Sequence, residues 1–241
     1  PVGPRLIYHK LMNSEIVPTV ELTKNFRSAK CISIAAESLK NGDPIVPSKL
    51  VRIRECKNSK HMVDVAKKEY EWHLSASSVH VVAARKRTVT DINIRLHNSI
   101  TQGFKVIPAA PEFRVGDAVV YKANNAELGI VNGSTGVVAG GKEDFIVVRF
   151  DVEGTVSIPK DDTKNEADGE YLLQHGYALT CHSAQGSEFD VVIVVVEDMP
   201  MVERSWLYTA ITRAKKKVIL VTANNSISKA IDRGFAAQQI E

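Results

Sequence analysis

Apolar positions along the chain change period several times, and each change predicts an element. "AKCISIAAESLKN" (29–41) spaces its apolar residues along one helical face and stops at Asn41-Gly42. "LVRIREC" (50–56) alternates like a strand, and "HMVDVAKKEYEWHL" (61–74) returns to helical spacing. "SVHVVAA" (78–84) is a further apolar strand, followed by a helix through "TVTDINIRLHNSI" (88–100) with Val89, Ile92 and Leu96 on one side. Nearer the start, Leu6, Ile7 and Leu11 predict a short helix over 5–12, and "VPTVEL" (17–22) a short strand. Late in the chain come the strand "DVVIVVVE" (190–197), a helix around "VERSWLYTAITRA" (202–214), the strand "KVILVT" (217–222) and a helix from Ser226. These last strands lack the alternation of a sheet with one wet face, so both faces are expected to be covered. Strands alternating with helices predict a mainly parallel α/β sheet with helices on both faces.

The period changes after Pro108 and Pro111. From "FRVGDAVVY" to "GTVSIP" the chain consists of short alternating runs punctuated by Gly and Asn, with a hairpin signal at Asn132-Gly133. Residues 113–160 are therefore expected to form a small all-β barrel inserted into the α/β domain, which would comprise 1–112 and 161–241. "KDDTKNEADGE" (160–170), with five acids and two lysines, reads as the solvated exit linker.

Composition narrows the function classes without choosing one. A net charge of +3, with 24% charged and 44% hydrophobic residues, is that of an ordinary globular chain and permits nucleic acid without demanding it. Cys31, Cys56 and Cys181 are odd in number and form no C-x-x-C, which argues against a disulfide framework or zinc site and for a reducing, cytoplasmic setting. The longest apolar run, Val191 to Val196, is too short to span a bilayer. The opening "PVGPRLIYHK" has no starting methionine and suggests a piece of a longer protein.

Gly136, Gly141 and Lys142 fit the start of a P-loop, yet Glu143 stands where a magnesium-binding Ser or Thr belongs, and the stretch lies among hairpins. The chain contains no other P-loop, so any nucleotide chemistry needs a P-loop elsewhere. Three other stretches carry suitable groups: "ELTKNFRS" (21–28), "CHSAQGSEF" (181–189) and "TAITRAKKK" (209–217). Arg27 and Arg213 are fixed cations that can stabilise a transferring phosphoryl group. Gln185 both donates and accepts, Gly186 permits close backbone approach, and Glu188 can accept from a ribose hydroxyl. Each also has a structural reading: Arg213 as a helix C-terminal cap, Arg27 as half of an ion pair, Gln185 as a loop residue. His61, His73 and His80 follow no ligand spacing and read as structural, and no metal site is expected.

The order of the blocks adds what no single block carries. "ELTKNFRS", "VHVVAARKRT", "YALTCHSAQGSEFDVVIV" and "LYTAITRAKKKVILV" together resemble the second motor half of superfamily 1 helicases, most closely the RecD-like branch that includes exonuclease V alpha subunits and TraA-type conjugative relaxase-helicases. The resemblance runs from residue 1 to about 223. "PVGP" is similar to the end of the family's "QLPPVGPG", with Arg5 where glycine is usual. This branch also carries an SH3-like insertion with a "GDxV…NGxxGVV…VRFD" pattern at the same place. The implied fold is a RecA-like parallel sheet with helices on both faces plus the inserted SH3-like barrel.

The same resemblance implies roles. Arg27 would reach the γ-phosphate with Phe26 near the base, and Arg213 would be the arginine finger. Gly186 and Glu188 would meet the nucleotide, with Gln185 coupling its state to DNA. Thr180, His182 and Ser183 would face single-stranded DNA, and Asn93 and Arg85 would lie along its path, although "RKR" (85–87) reads equally as a solvated basic turn. The family usually has Lys or Arg at the place of Ser183, so one phosphate contact is weakened or comes from another residue. ATP and Mg²⁺ would be held mainly by an upstream P-loop domain, this chain alone would not hydrolyse ATP, and translocation would run 5′ to 3′. Two rivals stay open: a non-catalytic helicase-derived module that binds DNA or a secretion partner, and a bare SH3-like interaction platform.

Overall fold

The computed structural model describes residues 28–76, 78–165 and 169–234. The elements expected over 5–12 and 17–22, together with Phe26 and Arg27, lie outside them.

Helix α1 (Lys30–Asn41) ends because Gly42 takes φ 81°, letting the Gly42 and Asp43 N–H groups close back onto the carbonyls of Leu39 and Ser38. Strand β1 (Val51–Cys56) follows, then α2 (Ser59–Trp72), started by Asn58, whose Oδ1 accepts the His61 N–H at 2.9 Å. Strand β2 (Val79–Ala83) leads into α3 (Lys86–Ile100). After an antiparallel region come β10 (Ala178–Thr180), β11 (Phe189–Val196), α4 (Arg204–Ile211), β12 (Ala214–Ala223) and α5 (Ser226–Asp232).

Strands β1, β12, β11, β2 and β10 form one sheet in that spatial order, every described pair parallel. Helices α1, α4 and α5 cover one face through Ile32, Leu39, Leu207, Ile211 and Ala230, packed on Val192, Val194 and Val196 of β11. Helices α2 and α3 cover the other through Met62, Ala66, Ile92 and Leu96, packed on Val191, Ile193 and Val195. The unbroken apolar run of β11 is thus divided residue by residue between two cores, which is why it lacks alternation.

The antiparallel region has its own core. A short ladder, β3 (Val106–Ile107) with β4 (Ala110–Arg114), precedes a five-stranded sheet in the order β8-β7-β6-β5-β9. Its strands are β5 (Ala118–Tyr121), β6 (Thr135–Gly141), β7 (Phe145–Phe150), β8 (Gly154–Pro159) and β9 (Leu173–His175). Phe113, Val119, Tyr121, Val138, Ile146, Val148, Phe150 and Ile158 fill the interior.

Three local expectations are corrected. The sheet does not end at 160, because β9 pairs antiparallel with β5. Residues 160–165, within the described part of the expected linker, are tied down: Asp161–Thr163 form a 3₁₀ turn, the Tyr121 hydroxyl donates to the Asp162 carbonyl at 2.9 Å, and Lys164 bridges to Tyr171. Asn132-Gly133 does turn, with φ 95° at Gly133, but at the foot of a long loop closed by an Asn125–Ile130 bridge and not as a two-residue hairpin. The glycines that mimic a P-loop serve strand packing, since a Cβ on Gly136 would lie 2.5 Å from the Arg149 carbonyl oxygen.

The two sheets meet at a buried carboxylate. Asp117 accepts hydrogen bonds from the hydroxyls of Thr101 (2.9 Å) and Tyr177 (2.7 Å) and the N–H of Arg114 (2.6 Å), and lies 2.8 Å from His97 Nδ1. Burial pushes its carboxyl up, but the His175 ring, followed by the bonds from Tyr177, Arg114 and His97, holds it well below the usual aspartate range.

Candidate nucleotide and single-strand interface

The segment 180–188 joins β10 to β11, two parallel strands separated in the sheet by β2. It must travel from the carboxyl edge of the sheet, where Thr180 pairs with Ala83, back to the amino edge, where Phe189 pairs with Ala214. Buried Cys181 and Ala184 fasten it to the core, and exposed His182, Gln185 and Gly186 face out. Two groups of candidate residues therefore sit at opposite ends of one short tether.

At the amino edge, Arg213 follows α4 and is half-buried. Its Nε donates to the Thr209 carbonyl at 3.2 Å and its Nη1 to the Ser187 carbonyl at 3.3 Å. These bonds combine the helix-capping reading with a direct link to the Gly186–Glu188 stretch. Among the described residues Arg213 pairs with no carboxylate, so its charge is aimed by carbonyls and not neutralised. Gly186 has φ 89° and open space where a Cβ would be. Glu188 lies 3.7 Å from Lys215 Nζ. Ser28, adjacent in sequence to Arg27, donates from Oγ to the Ala214 carbonyl at 2.8 Å, beside Arg213. Burial pushes the Cys181 thiol up to about 12, against the lowering effect of the Arg213 charge, which leaves it a packing residue and not a nucleophile.

At the carboxyl edge, Thr180 and Ser183 form a hydroxyl pair: Thr180 Oγ1 donates to Ser183 Oγ at 2.9 Å and accepts the Ser183 N–H at 3.2 Å. Lys122, from the loop after β5, donates from Nζ to Ser183 Oγ at 2.7 Å. Lys86 belongs to the "RKR" (85–87) already considered for the strand path, but Lys122 was missed from sequence; the basic residue lacking at 183 did not say where a substitute lay.

Asn93 and Arg85, expected along the strand path, both make internal contacts. Asn93 is 9% exposed, with Nδ2 donating to the carbonyls of His175 and Ala178 and Oδ1 accepting the Ala178 N–H, so it clamps α3 to β10 and has no polar atom to offer a strand. Arg85 faces solvent but lies 3.5 Å from the buried carboxylate of Glu197, which also accepts the Arg85 N–H and the Thr88 hydroxyl.

The three histidines make local contacts. His61 Nδ1 accepts the Lys57 N–H, His73 bonds the Glu69 carbonyl, and His80 stacks on Phe189 at 3.9 Å, burial lowering its pKa to about 3. His97, Asp117 and His175 offer ligand atoms within 4.8 Å of one another, but the Asp117 oxygens are occupied by the joint described above. Among the described residues no helix is long and apolar enough to cross a membrane.

Residues 175–221 match the family described as the UvrD-like helicase C-terminal domain. The chain is 41% identical over 113 residues to the ATP-dependent RecD2 DNA helicase of Deinococcus radiodurans, covering 45% of this chain and 14% of that protein. It is 36% identical over 120 residues to the RecBCD enzyme subunit RecD of Mycobacterium tuberculosis, covering 49% and 20%. Against the conjugal transfer protein TraA of Rhizobium radiobacter it is 24% identical over 163 residues, covering 63% and 14%. The alignments thus span a fifth or less of these relatives. In fold, the chain is similar to Bacteroides Pif1 helicase bound to single-stranded DNA, with a TM-score of 0.55 at 18% identity over 95% of this chain and 61% of that one. A Bacteroides Pif1 complex with ADP-AlF3 and single-stranded DNA gives 0.54 at 21% identity over 83% and 51%.

Proposed function

Taking as premise that the chain is the C-terminal part of a superfamily 1 helicase of the RecD-like branch, we propose that it is the second, RecA-like motor domain of an ATP-dependent DNA helicase. It closes over ATP and Mg²⁺ held by a P-loop domain upstream in the same protein. The observation that carries this reading is Arg213: a half-buried guanidinium held by two carbonyls and, among the described residues, without a carboxylate, beside Gly186 and Glu188. Such a group suits a phosphate oxygen arriving from outside, because its orientation is set in advance and its charge is not spent within the domain. By the resemblance, Arg27, which lies outside the described residues, serves as a second cation for the γ-phosphate. Phe26 packs toward the base, and Glu188 receives a ribose hydroxyl.

When bound, the nucleotide supplies the scissile phosphoanhydride, and the residues of this chain orient and neutralise. The 180–188 tether gives a route for coupling. A shift of Arg213 toward a γ-phosphate pulls on the Ser187 carbonyl, and Gln185 and Ser183 lie within four residues of it. Thr180, His182 and Ser183 contact single-stranded DNA at the other end, and cycles of closure move the strand, 5′ to 3′ as the resemblance implies. The antiparallel unit is assigned as the SH3-like insertion that guides the strand. Without a P-loop, this chain by itself hydrolyses no ATP.

The test is DNA-stimulated ATPase of the whole protein that carries this chain, with Arg213→Ala compared at equal melting temperature. Loss of an arginine finger lowers turnover roughly a thousandfold. Unchanged turnover would overturn the motor reading and leave a helicase-derived module that binds DNA without hydrolysis.

A further inference from the structure

Several cations close to the parallel sheet are matched to acids. Arg54 pairs with Glu69 at 2.6 Å, Lys216 with Asp190 at 2.8 Å, Lys229 with Asp198 at 2.6 Å, and Arg85 faces Glu197. Lys122 is different. It is half-buried, its polar partner is the Ser183 hydroxyl, and the charged group acting on it is a second cation, Lys86. Desolvation first, and the Lys86 charge second, lower its pKa. An ammonium drawn out of water toward a like charge is unfavourable unless an anion joins it, because each effect opposes the charged form.

Its surroundings define that anion. Lys122 comes from the antiparallel unit and Lys86 from the start of α3, while Thr180 and Ser183 lie at the carboxyl edge of the parallel sheet, Ser183 bonded to Lys122. The turn at Gly133 also reaches this place, since a Cβ there would sit 3.6 Å from the Ser183 carbonyl oxygen. Two cations and two small hydroxyls, with exposed His182 alongside, suit phosphate oxygens. The ligand that such groups suit is a backbone phosphate that enters and leaves along a surface.

We propose that Lys122, with Lys86 and the hydroxyls of Thr180 and Ser183, binds a phosphodiester of single-stranded DNA where the strand passes from the antiparallel unit onto the parallel sheet. This rests on the function proposed above and adds a residue from the insertion to the strand path. It also explains how the chain manages with Ser183: the basic group is delivered from another unit and docks on the serine.

Anisotropy of a labelled oligothymidylate, titrated with the purified chain at several salt concentrations, tests the proposal. Each phosphate contact on a single strand contributes about 0.7 to the slope of log affinity against log salt. Lys122→Ala is expected to lower the slope by about that amount and to weaken binding alike for oligonucleotides of different base composition; Lys122→Arg retains both. Lys160→Ala removes the same charge from an exposed residue after β8 and leaves the slope unchanged. Melting temperatures accompany each variant, with Lys122→Gln replacing Lys122→Ala if the latter unfolds. A wild-type slope in Lys122→Ala, combined with loss of binding in Thr180→Val, would overturn this inference and spare the function reading. No binding by the wild type would overturn both. Inorganic phosphate that displaces the oligonucleotide at constant ionic strength only when Lys122 is present would make this a free-phosphate site and overturn the strand assignment.

Discussion

Gly186 shows how a single backbone angle can constrain the candidate site. At φ 89° the residue lies where a side chain is disfavoured, although a Cβ would meet nothing within 4 Å. Gly186→Ala is therefore expected to cost about 1–2 kcal/mol through the backbone alone, read as a lower denaturant midpoint with an unchanged m-value. Asn93 makes the complementary point. A buried amide in three hydrogen bonds cannot be replaced by a hydrocarbon without orphaning the groups it served, so Asn93→Leu should lose about 2 kcal/mol or more. Its effect on single-strand affinity should vanish once folding is accounted for. Asn93 sits in a helix between Ile92 and Ile94, and its sequence does not show what its amide bonds until the carbonyls of His175 and Ala178 are brought to it. Arg213 and Gly186 were legible as candidates because their types are unusual at those places; that Arg213 points at the Ser187 carbonyl was not.

Among elements, β11 was the clearest in sequence and is the most buried in structure. Ile193 is fully buried against α2 and α3, and Ile193→Ala should destabilise by about 2–5 kcal/mol from lost transfer and cavity terms, measurable by chemical denaturation. The helices were legible for the same reason: an apolar stripe must find a sheet. Elements of the antiparallel unit were less so. Two or three residues of β3 and β9 carry no period, and their pairing is decided by partners outside the segment, nearby Arg114 for Val106 and distant Val119 for His175. Gly176 illustrates the constraint: between β9 and β10 the chain passes from one sheet to the other, and a Cβ there would lie 2.6 Å from the Val119 backbone.

For the molecule as a whole, the joint at Asp117 sets how the two units report to one another. Its carboxyl is depressed in the fold, so it contributes stability that is fully present above the ordinary aspartate value of about 4 and fades as pH falls below it. Asp117→Asn should remove about 2 kcal/mol near neutral pH, by weakening charge-assisted bonds from Thr101, Tyr177 and Arg114. The same variant should flatten the decline of stability between pH 4 and lower values, followed by thermal melts across pH. An equally steep acid decline in the variant would show that other carboxylates dominate it.

The sequence by itself determined what local physics can carry. Period set the helices and the long strands, two-sided burial set the parallel sheet, residue type beside the strands marked Arg213 and Gly186 as candidates, and the resemblance added Thr180. Tertiary structure alone decided the rest, because it turns on groups that are remote along the chain and adjacent in space. Folding brought Lys122 to Ser183 and committed Asn93 and Glu197 to internal bonds. It also stretched residues 180–188 from one edge of the sheet to the other. A hydrogen bond across 61 residues leaves no period in the sequence; it exists only once two separately built cores have been packed together.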